Sequence, residues 1–306
     1  MNRTITRALL AVIALLLSAT ACTAAPQQRA GVVVTTNILG DITRQIAGEQ
    51  VPVSVLMPPG ADPHSFGISA QQAAELEQAD LVVHNGLGLE EGVQRNVQAA
   101  RAEDVPTFAV AEHVDPLEIA GPGSQPDPHF WTDPSRVAKA VDLLADQLVA
   151  HVDGVDAAAV KTRAAQYKGE VLALETEMQR RFDQIPPERR KLVTNHHVFG
   201  YLAQRYDFEV IGAVIPSGTT LASPSASDLS SLADAVRRAG VRTIFADSSQ
   251  PDRLARVLAE QAGLDVRVTP LFSESLSEPG GGAATYLEMT RANTEAITSG
   301  LGAGNP

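Results

Sequence analysis

A chain of 306 residues, 44 % of them hydrophobic, has material for one large or two medium folded domains. Its 36 acidic against 24 basic side chains give a formal charge of -12, and setting aside Arg3 and Arg7 makes the remainder more acidic still. That balance argues against the basic stripe a nucleic-acid partner requires, and the single cysteine, Cys22, excludes an intrachain disulfide and a thiolate-rich zinc module.

Met1 to Arg7 is a positive head, and Ala8 to Leu17 an apolar run too short for a permanent membrane-spanning helix. Ser18-Ala-Thr-Ala-Cys22 follows, small residues leading to a cysteine in the manner of a lipoprotein signal, although Ala19 stands where leucine is commoner. The expectation is an exported chain, in the periplasm or cell envelope. Residues 1–21 would be the signal peptide, Cys22 the lipid attachment that anchors it to the membrane, and 22–30 a tether.

Beyond the tether, Gly31 to Thr36 reads as a buried strand and Ile38 to Ala47 as a helix; Val51 to Met57 is a strand ending in Pro58-Pro-Gly60. Ser69 to Gln78 reads as a helix, Ala79 to His84 as a strand and Glu90 to Ala102 as a helix. Glu118 to Pro126, rich in glycine and proline and without periodicity, is a mobile loop suited to a lid or a plain surface excursion. From Asp156 to about Gln184, apolar residues at Val160, Ala164, Tyr167, Val171, Leu174, Met178 and Phe182 recur every three or four positions, a long amphipathic helix that Pro186-Pro187 would stop.

The second half repeats the alternation: strand Lys191 to Thr194, helix Val198 to Arg205, strand Glu209 to Val214, then a capping box at Ser225 to Asp228 opening a helix that ends near Gly240. Val241 to Ala246 is strand, Gln250 to Ala262 helix, Val266 to Val268 strand and Tyr286 to Leu301 a closing helix; no short repeat is visible. The predicted class is α/β, two lobes each with a parallel sheet flanked by helices, joined by one rigid helix. The divisions are 31–155 for the first lobe, 156–185 for the helix and 186–306 for the second.

Four potential metal ligands lie far apart, two in each half. They are His64 in Ala61-Asp-Pro-His-Ser-Phe66, His129 in Asp127-Pro-His-Phe-Trp-Thr-Asp-Pro134, His196 in Val193-Thr-Asn-His-His-Val-Phe-Gly-Tyr201, and Glu274 near the end. Local zinc modules space their ligands a few residues apart, so ligands this remote meet only in a cleft, where the ion is captured cargo. Three imidazoles with one carboxylate suit zinc, Zn2+, and lack the thiolates that would trap it; manganese is better served by more carboxylates, and copper would outbind zinc on nitrogen. His197, beside His196, is the alternative ligand or an outer hydrogen-bond donor, and Asp247 the alternative to Glu274. His84, His113 and His151, late in a helix, read as packed or surface residues. Binding is expected to fail as pH drops through the histidine range.

Together, Asp62-Pro-His64, the Ala79-Asp-Leu81 strand, the Asp127 to Pro134 block and His196 to Tyr206 resemble the zinc and manganese solute-binding proteins of ABC transporters, the ZnuA/TroA-like family, over essentially the whole mature chain. The resemblance implies one metal ion between two lobes, with His64 and His129 from the first and His196 third. Manganese carriers tend to have glutamate at that third position, so histidine points to zinc. The family's usual fourth ligand is an aspartate; here Glu274 occupies that segment, and Asp247 matches a position that more often supports the site. The Glu118 to Pro126 loop lacks the histidines of some zinc members and resembles a subgroup served by a separate periplasmic metallochaperone. The implied partner is an ABC permease and the implied state a monomer. The competing readings are a zinc-dependent hydrolase, against which His-Glu-x-x-His is absent, and a manganese carrier or adhesin on the same scaffold.

Overall fold

The computed structural model describes residues 31–119, 125–263 and 266–302. The predicted signal peptide, Cys22 and the tether lie outside the described residues, as does most of the 118–126 loop.

In the first half, β1 (Val32–Val34), β2 (Val53–Val55), β3 (Leu81–His84) and β4 (Thr107–Ala109) form a parallel sheet in the order β2-β1-β3-β4. Its helices are α1 (Asn37–Ala47), α2 (Ala70–Glu77), α3 (Gln94–Ala102) and α4 (Pro134–His151). Successive strand residues point to opposite faces, and both faces are covered. Val32, Val34, Leu81 and Val83 pack with α1 and α4, while Val33 and Val82 pack with Leu76 of α2 and Val97 and Ala100 of α3. An unbroken valine run is what a strand buried on both sides needs.

α5 (Ala157–Phe182) follows, with Asp156 accepting the backbone N–H groups of Ala158 and Ala159 at its start. At 1.5 Å per residue it is about 39 Å long. Its buried residues are the seven predicted apolar positions, and it ends at Phe182, a turn before Pro186. It packs against α1 and α4, and the Arg163 guanidinium donates to the carbonyls of Ile46 and Ala47, closing the C-terminal end of α1.

The second half has β5 (Lys191–Thr194), β6 (Glu209–Ala213), β7 (Thr243–Asp247) and β8 (Arg267–Leu271), parallel in the order β6-β5-β7-β8, with α6 (Gly200–Tyr206), α7 (Ala226–Ala239), α8 (Arg253–Ala262) and α9 (Tyr286–Gly302). The strand order of the first sheet is thus repeated without any repeat in sequence. Val193, Ile244 and Ala246 face α7 and α8, whereas Leu192 and Phe245 join α6 and α9 in the apolar cluster that also holds α5 and the first sheet. The halves therefore share one core. α5 is not a lone rod between them, because α9 also packs on it and the Tyr286 N–H donates to Asp41 on α1.

Some elements depart from the sequence reading in more than their bounds. β4 was not anticipated, since three residues, Thr-Phe-Ala, with one of them buried leave no alternation to read. The 18-residue α4, of which only the end near His151 was anticipated, starts inside the His129 motif, with Asp133 as N-cap and Pro134 in the first turn. Among the described residues no helix is long and apolar enough to cross a membrane.

Candidate metal centre

Each sheet ends in loops beyond the carboxyl ends of its strands, where open α/β sheets place ligands. His64 lies between β2 and α2, His129 between β4 and α4, His196 between β5 and α6, and Glu274 beyond β8. The structure brings these four together: one ligand atom from each lies within 4.8 Å of all the others, and no side chain of the four is more than 1 % exposed.

The separations match a small cation. His64 Nε2 and His129 Nε2 are 3.4 Å apart, and Glu274 Oε1 lies 3.1 Å from His196 Nε2 and 3.6 Å from His129 Nε2. Glu274 Oε2 is 3.8 Å from His64 Nε2. Donors about 2.0–2.1 Å from a tetrahedral ion stand roughly 3.3–3.4 Å from one another. His196 Nε2 and both Glu274 oxygens have no hydrogen-bond partner, although all are buried. Unpartnered buried lone pairs are costly unless something else satisfies them, and a divalent ion would satisfy all of these at once.

The two Asp-Pro-His sequences build the same turn. Asp62 Oδ1 accepts the His64 N–H at 3.0 Å, and Asp127 Oδ1 accepts the His129 N–H at 3.0 Å. Asp127 Oδ1 also receives His129 Nδ1 at 2.7 Å, which fixes the proton there and leaves the Nε2 lone pair facing the group. Asp62 turns its other oxygen elsewhere, and His64 Nδ1 is unpartnered. The rest of the second motif is structural: Trp131 Nε1 donates to the Ser273 carbonyl at 2.9 Å, and Phe130 is fully buried. The supporting roles of Asp62 and Asp127 were missed in the sequence, where the repeated Asp-Pro-His was their signal.

The alternatives are placed outside the group. Asp247 is buried, but it is occupied by the Ser249 N–H at 2.7 Å, the Ser249 hydroxyl and the Ser273 hydroxyl, and so braces the residue before Glu274. His197 is half-buried, with its N–H donated to the Ser217 carbonyl. His113 sits against Phe108 with Nδ1 on the Ala109 carbonyl, His84 is half-buried at the end of β3, and His151 is in the last turn of α4.

Burial dominates the electrostatics. Desolvation, then His129 and His196, lower the His64 pKa to about 2, and desolvation also lowers His196 against the pull of Asp247, Asp62 and Asp127. Desolvation pushes the Glu274 carboxyl well above the usual range, with Asp247, Asp62 and Asp127 adding to it. In the closed group, burial thus opposes charge on the imidazoles of His64 and His196 and on the Glu274 carboxylate alike, so a cation and a proton compete for the same buried carboxylate.

Two α/β lobes enclosing a buried group of three imidazoles and a carboxylate define a metal-binding protein of the substrate-binding kind. Residues 32–300 match the family described as zinc-uptake complex component A, periplasmic, ZnuA, and the chain belongs to that family of ABC-transporter substrate-binding proteins, which are not enzymes. It is 28 % identical over 281 residues to the manganese ABC transporter substrate-binding lipoprotein PsaA of Streptococcus anginosus, covering 90 % of each chain. The periplasmic zinc-binding protein TroA of Treponema pallidum superposes with a TM-score of 0.82 at 29 % identity, covering 89 % of this chain and 99 % of that one. A manganese-bound periplasmic metal-binding protein of Candidatus Liberibacter asiaticus gives 0.78 at 26 % identity, covering 88 % and 98 %.

Proposed function

We propose that this protein is an exported zinc carrier in which His64, His129, His196 and Glu274 hold Zn(II) for delivery to an ABC-type membrane permease. The observation that carries the reading is a buried group of donor atoms from four separate loops at the spacing of a tetrahedral shell, those of His196 and Glu274 without a hydrogen-bond partner. Three neutral nitrogens favour zinc over the harder manganese, and the absence of thiolate keeps binding reversible. The working divisions are residues 31–155 and 186–306, with 156–185 as the connecting helix. Acylation at Cys22 would hold the protein outside the cytoplasmic membrane, a reading supported by relatives described as lipoproteins. The short, histidine-free 118–126 arm supports loading by a separate metallochaperone, and the carrier acts as a monomer.

One observation favours manganese as the second reading. Glu274 turns both oxygens to the group, Oε1 toward His129 and His196 and Oε2 toward His64, so it offers a fifth donor to an ion that prefers more oxygen. Competition titration of metal-free protein decides between them. Zinc is expected to bind more tightly than manganese, and His64→Ala, His129→Ala or His196→Ala to weaken zinc by more than roughly 100-fold, the upper end of what outer-sphere changes cost. Tighter manganese would overturn the zinc assignment, and wild-type affinity in the three variants would overturn the site.

A further inference from the structure

The segment between β6 and α7, residues 214–225, leaves the second sheet and crosses onto the first half of the molecule. It touches the surroundings of three of the four ligands in turn. The Ser217 carbonyl accepts the His197 N–H at 2.9 Å, and at Gly218 the backbone runs so close to Ile119, on the arm leading to His129, that a β-carbon would lie 2.3 Å from Ile119 Cδ1. Thr219 Oγ1 donates to Glu91 at 3.3 Å, and Thr220 Oγ1 donates to Asp62 Oδ2 at 2.6 Å. A second donor from the same half, Gln250 Nε2, just beyond β7, reaches that oxygen at 2.8 Å.

Asp62 is buried and its carboxylate accepts four hydrogen bonds, divided evenly between the halves. The His64 N–H and the Ser65 hydroxyl come from its own turn, and Thr220 and Gln250 come from across the cleft. A further set of cross-half bonds near the site is of another kind. Asn37 to Ser275 and Leu276, Trp131 to Ser273 and the Tyr286 hydroxyl to the Trp131 carbonyl are buried against the shared core, and they pin the Glu274 segment to the first half from both sides. The outer part of the 214–225 segment, a strap across the cleft, is thinner, with Ser217 to Thr220 only half-buried and Leu221 exposed. Ligands this buried exchange with solvent only after part of their cover moves.

We propose that Thr220 and Gln250 are positioning residues that clasp Asp62, hold the His64 turn against the second half, and set the residence time of the bound metal; release begins when these two donors leave Asp62 for water. The proposal rests on the reading that His64, His129, His196 and Glu274 hold the ion. Removing both donors leaves a buried carboxylate half-satisfied and makes the closed state less favourable, while the four metal-facing side chains are untouched.

The test is stopped-flow transfer of zinc from the loaded full chain to excess chelator. Thr220→Val with Gln250→Leu is expected to raise the dissociation rate by roughly ten- to hundredfold, with the association rate and zinc stoichiometry unchanged, and Thr220→Ser alone to retain the wild-type rate. If the double variant fails to fold, Thr220→Val alone, with a wild-type circular dichroism spectrum, carries the same expectation at about tenfold. An unchanged dissociation rate in a folded clasp variant, with zinc binding still lost in His64→Ala, sinks the clasp and leaves the site standing. Equal zinc binding by wild type and His64→Ala sinks the site reading beneath it.

Discussion

Asp127→Ala examines how the protein prepares a histidine to receive a metal. Asp127 is 3 % exposed, and its carboxylate accepts two bonds from one residue, the His129 N–H at 3.0 Å and Nδ1 at 2.7 Å. The first fixes the turn and the second fixes the tautomer, so that the Nε2 lone pair meets His64 Nε2 at 3.4 Å. Without the carboxylate the imidazole can rotate or carry its proton on the wrong nitrogen. Loss of such a partner costs 10- to 100-fold in metal affinity, about 1.4–2.7 kcal/mol. Asp127→Asn keeps an oxygen for the turn while losing the charge, and belongs at the lower end, about tenfold. Chelator competition at neutral pH measures both, alongside thermal unfolding of the metal-free forms, because the orphaned His129 N–H also destabilises the alanine variant by about 1–3 kcal/mol. Zinc affinity within about twofold of wild type in a folded Asp127→Ala, with His129→Ala still deficient, would refute the orienting role.

The pH dependence of binding follows from Glu274. Its folded pKa is raised, so the metal-free closed group holds a proton there more tightly than water does, the associated stability is lost as pH rises through the raised value, and an entering cation competes with that proton. Zinc affinity should fall about tenfold per pH unit below that value, with about one proton released per ion in calorimetry in two buffers, and Glu274→Gln should abolish that release; about three protons would mean that imidazolium groups compete instead. In the shared core, Phe182→Ala removes a fully buried ring held edge-on by Tyr206 and Phe208, at centroid distances of 5.0 and 5.1 Å. It should lower stability by about 3–5 kcal/mol in denaturant unfolding, and a loss under 1 kcal/mol would mean that the end of α5 is not packed as described.

Legibility in the sequence followed how locally each feature is determined. α5 could be read to its buried positions because one apolar stripe on one helix needs no partner to be seen, and β1 because burial on both faces leaves an unbroken valine run. The helix expected from Glu90 starts only at Gln94. The Glu90 side chain is recruited to accept Thr35 Oγ1 and the N–H groups of Asn85 and Gly86, which holds the chain in a turn there. Asp247 and Glu274 could not be ranked by spacing, since what separates them is that Ser249 and Ser273 occupy the first and nothing hydrogen-bonds the second.

The two Asp-Pro-His turns show where local chemistry stops deciding. Both aspartates accept the N–H two residues on, so sequence and backbone geometry are the same to the level of one hydrogen bond. They then diverge through their surroundings. Asp127 keeps its free lone pairs for the imidazole of its own turn, and its backbone carbonyl takes the Tyr201 hydroxyl of the other half at 2.6 Å. Asp62 leaves the imidazole alone and gives its carboxylate to Thr220 and Gln250. One aspartate thus prepares the ligand and the other reports whether the halves are shut. Exchanging their roles would require moving the strap, not the motif, and so the strap rather than either Asp-Pro-His turn is the place to alter release without altering which metal is chosen.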